Sequence, residues 1–247
     1  AATFSIEKCF PIGNAAIRVP GGVTLESGGL AYNRPQVLRG HKLRDGGCLM
    51  RIAPSAEPIL RLNGHGNTIH NVMLCGAYWE LETPRAFYNA GVQTDKLYRA
   101  GCGIEIVRDP NPAQNSGHHT ISAGFAFCDV GLRCTFNGQE DHSDVCSFPR
   151  LDFEECPVGF LVKNKQSYSH QFGQFYYQAP WMSGSRPATA LDLQRGGRFC
   201  IQQCTINHPE DVLALIARTS ARSAPDLEFN YNNAGYVLLA LIAEMVT

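Results

Sequence analysis

A glycine followed by an alternating apolar run recurs at a fixed distance: Gly103-Ile-Glu-Ile-Val, Gly131-Leu-Arg-Cys-Thr and Gly159-Phe-Leu-Val-Lys, each glycine 28 residues from the last. Self-similarity of that length restricts a chain to folds made by stacking one small unit on copies of itself. The pattern continues at Ala190-Leu-Asp-Leu-Gln, Val212-Leu-Ala-Leu-Ile and Gly235-Tyr-Val-Leu-Leu, at intervals of 31, 22 and 23 residues. Within the copies the apolar residues alternate, as in Ile104/Ile106, Leu132/Cys134, Phe160/Val162 and Leu191/Leu193, which is the two-residue period of a half-buried strand. A second alternating run follows in each coil, around Phe125, at Leu151–Glu154, Phe172–Tyr177, Ile201–Ile206 and Leu227–Tyr231. Helices need a period of 3.6, and propeller blades need about 40 residues, so a three-sided parallel solenoid fits best. A β-sandwich is the second choice, because it gives no reason for glycines and cysteines to keep one phase.

Small or hydrogen-bonding residues recur at one turn: Cys128, Cys156 and Asn232, with Cys75 and His208 in similar places. Stacked coils put equivalent residues about 4.8 Å apart, so such residues form a ladder. The ten cysteines are spread singly through apolar runs, unlike a small disulfide scaffold, and are expected to be mostly unpaired and buried. Cys200, Cys204 and His208 have ligand chemistry, but on a strand residues four apart lie about 13 Å from each other, so no metal and no cofactor is expected. Lys plus Arg is 21 against 22 Asp plus Glu, with no block of one sign, which disfavours nucleic acid and anionic membranes as partners. The longest apolar run, Tyr236–Ala243, is too short to span a bilayer as a helix. The sequence starts at Ala1 with no signal segment, which fits a processed chain or a domain of a longer one.

The six copies, the entry Ala16-Ile-Arg-Val-Pro-Gly-Gly-Val-Thr-Leu and the run from Ile59 to Leu74 together resemble the pectin-lyase-like superfamily, which includes pectate lyases, polygalacturonases and phage tailspikes. The resemblance implies an all-β, single-stranded right-handed parallel β-helix with coils of 22 to 31 residues. One domain would cover residues 1–247, with 1–15 as N-terminal entry or cap, 77–100 as an inserted loop and 235–247 as a last coil or cap. It also implies binding of a polysaccharide or cell-surface glycan, with hydrolysis or elimination if the protein is an enzyme. The alternative is a non-catalytic, oligomeric structural or receptor-binding module. Either implies an extracellular or virion setting. The superfamily's catalytic residues do not carry over. Gly64-His65-Gly66 matches a polygalacturonase tripeptide, but the accompanying motifs are missing and the glycines suit a tight turn.

Candidate site residues follow from the strand pattern. Outward positions of successive coils form a row, Glu105, Arg133, Leu161, Asp192, with Lys163 in the next row. Glu105, Arg133, Lys163 and Asp192 are thus expected to form a polar wall suited to sugar hydroxyls or uronates, or else a solvated face of weak ion pairs. The later outward positions, Ala214, Ile216, Val237 and Leu239, are apolar and predict contact through the late coils, for which a homo-oligomer is one candidate. Asp152 and Glu154 share one face of a strand with about 6.5–7 Å between their Cα atoms, which suits paired catalytic carboxylates, and Glu140 lies in the loop before them. The insertion at 77–100 brings Tyr78 and Trp79, aromatic platforms for sugar rings, and a second excursion runs from Gln178 to Ala188.

Overall fold

A computed structural model describes residues 2–7, 9–28, 47–51, 55–76, 100–107, 109–110, 113–114, 116–135, 143–163, 169–178, 188–194 and 199–206. Expectations for Glu140, Tyr78, Trp79, His208 and the late coils fall outside them. In chain order the strands are β1 (Ala2–Ser5), β2 (Cys9–Ile12), β3 (Ile17–Pro20), β4 (Val23–Glu26), β5 (Cys48–Arg51), β6 (Ser55–Asn63), β7 (Thr68–Cys75), β8 (Ala100–Ile106), β9 (Asp109–Pro110), β10 (Ala113–Gln114), β11 (Thr120–Ala126), β12 (Cys128–Cys134), β13 (Ser147–Glu154), β14 (Val158–Val162), β15 (His170–Gln178), β16 (Thr189–Leu193) and β17 (Phe199–Ile206). The described residues contain no helix, and none of their segments is a helix long and apolar enough to cross a membrane.

The strands fall into two parallel sheets, an arrangement consistent with a parallel β-solenoid. The first has the order β1-β4-β7-β11-β13-β15-β17 with β2 and β5 alongside, and the second has β16-β14-β12-β8-β6-β3. Each coil therefore gives one strand to each sheet; the small β9–β10 pair is antiparallel and stands apart. Between the two sheets the chain turns at a single residue in the left-handed region, Phe127 (φ 55°) and Glu155 (φ 55°). The return to the first sheet is longer and ends in a second left-handed corner at Gly22, Gly66, His118, Val145 and Ser169. Gly66 (φ 71°) occupies a conformation glycine adopts at little cost, so Gly64-His65-Gly66 is a turn, as its glycines suggested. Among the described residues each coil shows two sheets joined by corners, and Phe127 is a corner residue.

The core is a set of columns. In the second sheet Ile17, Leu60, Ile104, Leu132, Phe160 and Leu191 stack in register, and Val19, Leu62, Ile106, Cys134, Val162 and Leu193 form the next column. Facing them, the first sheet stacks Phe10, Leu49, Leu74, Phe125, Phe153, Tyr177 and Ile206. Phe125 and Phe153 stack with ring centroids 5.0 Å apart. The repeating glycines make room for these rings. A Cβ on Gly103 would stand 2.5 Å from Phe125 Cδ1, one on Gly131 2.5 Å from Phe153 Cε1, and one on Gly159 3.0 Å from Tyr177 Cδ2. Each glycine is the socket for an aromatic of the opposite sheet, which is why glycine and aromatic recur together.

Two features near the N-terminal end had no sequence signal. β4 and β5 pair with successive halves of one edge of β7, so a single strand position is split between them. The ends of the split meet: Gly47 N–H donates to Ser27 Oγ (2.7 Å), and Met73 N–H donates to the Gly47 carbonyl (3.0 Å). The fully buried Arg51 guanidinium donates to the carbonyls of Gly13, Ala15 (2.8 Å), Glu57 (3.1 Å) and Pro58 (2.6 Å), joining the first two coils.

Candidate functional site

Alternation along β13 turns Leu151 and Phe153 into the core and leaves Arg150, Asp152 and Glu154 on the outer face of the first sheet. Register places Gln174, Tyr176 and Gln178 of β15 beside these three, and Ser122, Gly124 and Ala126 of β11 on the other side. Gln203 and Thr205 of β17 extend the first two rows. A polar strip therefore lies across β13, β15 and β17. Gln174 Nε2 donates to Gln203 Oε1 (3.4 Å), and Tyr176 Oη donates to Gln178 Oε1 (3.2 Å).

Asp152 is the most perturbed acid of this face. Its side chain is 18% exposed and accepts a hydrogen bond from Arg150 Nε at 2.9 Å. Burial pushes its carboxyl above the usual range, and the Arg150 charge and hydrogen bond only partly oppose that rise. The surroundings explain the desolvation: Gly124 gives Asp152 no side-chain neighbour of its own, Met73 lies over Gly124, and Tyr176 stands on the far side. Glu154 is half-buried, in register with Ala126 and Gln178. Both long excursions start at this level, because Cys75, which precedes Gly76, shares the row of Ala126, Glu154 and Gln178. Between them the coils of β11 and β13 turn at one residue, at Phe127 and Glu155.

The wall expected on the second sheet is divided. Arg61, Glu105, Arg133, Leu161 and Asp192 do share one outward row. Glu105, however, is only 4% exposed. It accepts from Arg61 Nε (2.7 Å), Arg133 Nε (2.9 Å) and Thr135 Oγ1 (2.8 Å), and Arg133 Nη2 lies at 2.8 Å. Burial alone would raise its carboxyl pKa, but the Arg133 charge and the bonds from Arg61 and Thr135 outweigh burial and lower it. Glu105 is thus occupied in holding Arg61 and Arg133. Leu161 is buried and separates that cluster from Asp192, which accepts from Gln194 Nε2 (3.0 Å), while Lys163 is exposed. We expect Glu105→Gln to cost about 2 kcal/mol, below the usual figure for a broken buried pair because both arginines are partly solvated. Thermal unfolding measures the cost, and a glycan affinity left unchanged marks the role of Glu105 as structural.

The inner corner column was not legible as a unit. Val23, Asn67, His119, Cys146, His170 and Phe199 each sit one residue before an in-register set of strand positions and point inward. Asn67 Oδ1 accepts from Val23 N–H (3.0 Å), and Asn67 N–H donates to His119 Nδ1 (3.2 Å). His119 Nδ1 is therefore an acceptor and Nε2 carries the proton, donated to Ser116 Oγ at 2.9 Å. Ser116 in turn lies 2.9 Å from the Leu62 carbonyl. This dyad is no nucleophile, since the imidazole presents its N–H to the hydroxyl and both side chains are buried. His170 is fully buried among Phe148, Phe160 and Phe199, and neither ring nitrogen has a hydrogen-bond partner. His65 and His118 remain exposed, their rings 5.7 Å apart. The recurring dipeptides Asn67-Thr68, His119-Thr120, Cys146-Ser147 and His170-Gln171 are the signal that marks this column.

Seven described cysteines are buried and in no disulfide, as expected, whereas Cys200 and Cys204 are exposed. Cys75 pairs with Ala126, so it precedes the Cys128 corner position by two residues. Among the described residues no three His, Cys, Asp or Glu side chains are grouped to hold a metal ion. No protein-family model matches the chain, and searches of curated proteins and of solved structures found no match.

Proposed function

We propose that the chain is a right-handed parallel β-helix of the pectin-lyase-like kind, that the outer face of its first sheet binds an extended glycan, and that Asp152 and Glu154 cleave it by hydrolysis. The observation that carries this reading is the pairing of a carboxyl whose pKa is raised with a second carboxyl two residues along the same strand face. Glycoside hydrolysis needs one protonated and one ionised carboxyl about 5–9.5 Å apart, and the Cα atoms of neighbours on one strand face, from which the two side chains project, stand about 6.5–7 Å apart. Asp152 gives its proton to the glycosidic oxygen as that bond breaks. Glu154 takes the proton of the attacking water, or attacks the sugar carbon itself. Gln174, Tyr176, Gln178 and Gln203 supply donors and acceptors for sugar hydroxyls. On the second sheet, whose outer face points away from this strip, Arg133, Lys163 and Asp192 are a separate set of polar groups for a glycan, and Tyr78, Trp79 and Glu140, outside the described residues, complete the set of proposed contacts.

The expected result is release of new reducing ends from at least one member of a panel of neutral and acidic glycans. Asp152→Asn and Glu154→Gln should each lower that rate by about 100-fold or more. A panel without products, or variants with unchanged rates, would overturn the catalytic reading.

A second reading, a non-catalytic oligomeric module, draws on the N-terminal end. Phe4 (56% exposed), Phe10 (47%) and Ile17 (37%) are in register with the buried Leu25, Leu49 and Leu60, so three core columns emerge uncovered. Apolar columns left open favour a neighbour. Sedimentation at micromolar concentration distinguishes the two: a stable oligomer that Phe10→Lys dissociates supports the module, and a monomer counts against it.

A further inference from the structure

Cys128 and Cys156 follow the two one-residue corners, Phe127 and Glu155, whose backbones share φ 55°. Two residues further on, Val130 pairs with Val158, which sets the two cysteines at one level of consecutive coils. Their surroundings repeat. Cys128 Sγ lies 3.6 Å from the Ala126 carbonyl and Cys156 Sγ 3.5 Å from the Glu154 carbonyl, and Ala126 and Glu154 are themselves in register. Both thiols are fully buried. Residues at one level of adjacent parallel strands lie about 4.8 Å apart, inside the 4.4–6.8 Å range between Cα atoms that a disulfide spans.

We propose that Cys128 and Cys156 are a cross-linking pair, converted by a small-molecule disulfide into a covalent staple between consecutive coils. One thiolate attacks the oxidant, forming a mixed disulfide and releasing one thiol. The second cysteine then attacks that mixed disulfide, forming the Cys128–Cys156 bond and releasing a second thiol, so the two cysteines lose two electrons and two protons in all. The reaction belongs to folding or to local opening. In the closed fold the neighbouring Cys156 thiol, with burial, pushes the Cys128 thiol well above its ordinary range and keeps it protonated, and only a thiolate attacks. The staple closes a loop of one coil immediately beneath Glu154. It would fix the two corners on which the outer strip rests, whatever that strip binds.

The test refolds the full chain from denaturant in a buffer of reduced and oxidised glutathione, then blocks remaining thiols and maps peptides without reduction. The expected product is 2 Da lighter, joins the peptides of Cys128 and Cys156, and melts several degrees higher than the reduced protein, the difference vanishing on reduction. Cys156→Ala should fold and lack the product. Oxidation of already folded protein, warmed to just below its melting temperature, repeats the mapping without a refolding step or a variant. Full alkylation of both cysteines, on denaturation, in protein refolded with the glutathione pair, or their pairing with other cysteines, would overturn the proposal.

Discussion

Replacing Gly131 by alanine is expected to destabilise the protein by about 3 kcal/mol, and replacing it by valine to prevent folding. The added Cβ would stand 2.5 Å from Phe153 Cε1 and 2.9 Å from the Gly159 carbonyl oxygen, so both a ring of the facing sheet and the backbone of the next coil must move. Gly13→Ala is the matched control, because a Cβ there meets nothing within 4 Å and should cost less than about 0.5 kcal/mol. Urea unfolding of the two variants measures the contrast. Shrinking the ring should relieve part of the clash, so the combination of Gly131→Ala with Phe153→Leu is expected to cost less than the sum of its parts. Additive losses would mean that the glycine repeat serves something other than the aromatic column.

Acid should unfold the chain well before its carboxylates are all protonated. Burial lowers the pKa of His119 to about 3, helped by His65, His118 and His170. His170 is lowered to about 4 by burial, opposed by Asp144 and by the nearby Cys146 carbonyl, which accepts the Gln171 N–H and does not reach hydrogen-bond geometry with the ring. Both folded values lie below the ordinary 6.5, so the unfolded chain binds protons that the fold excludes. The resulting stability is fully present above pH 6.5 and is lost as pH falls from there toward the folded values, at about 1.4 kcal/mol per pH unit for each ring. Two pH units therefore remove about 5 kcal/mol, a large share of a typical domain's stability. Glu105, whose pKa is lowered, adds a further loss at more acid pH. Denaturant titrations at a series of pH values should show this slope, and His170→Phe should halve it. A flat profile between pH 6.5 and 4.5 would show that these rings are solvated.

The columns were legible because alternation and a fixed period follow from backbone geometry alone, and Leu132, Phe160 and Leu191 stack as their spacing implied. What covers an outward position is set by other parts of the chain. Glu105 and Leu161 have outward phase yet are buried, so the row that read as one continuous wall is an arginine-clamped carboxylate and a separate polar end. Local propensity also misplaces the corners. Phe127, Val145 and Glu155 hold left-handed conformations that only Gly adopts cheaply, and it is the stacking of coils that imposes them. Asp152 and Glu154 were legible as neighbours. The rise in the Asp152 pKa was not, because it depends on Met73 and Tyr176 from other coils.

The split strand position near the N-terminal end bears on how such a chain can change. Ser27 N–H donates to the His70 carbonyl and Gly47 carbonyl accepts from Met73 N–H, so β7 sees an almost continuous neighbour although the intervening chain leaves and returns there. Since the closure is made by groups on either side, the length of what lies between is uncoupled from the alignment of everything downstream. Doubling such a segment costs only about 0.6 kcal/mol in closure entropy. The junction of Ser27 and Gly47 is accordingly a natural graft point, where a lineage or a designer can exchange an insert while the scaffold keeps its phase.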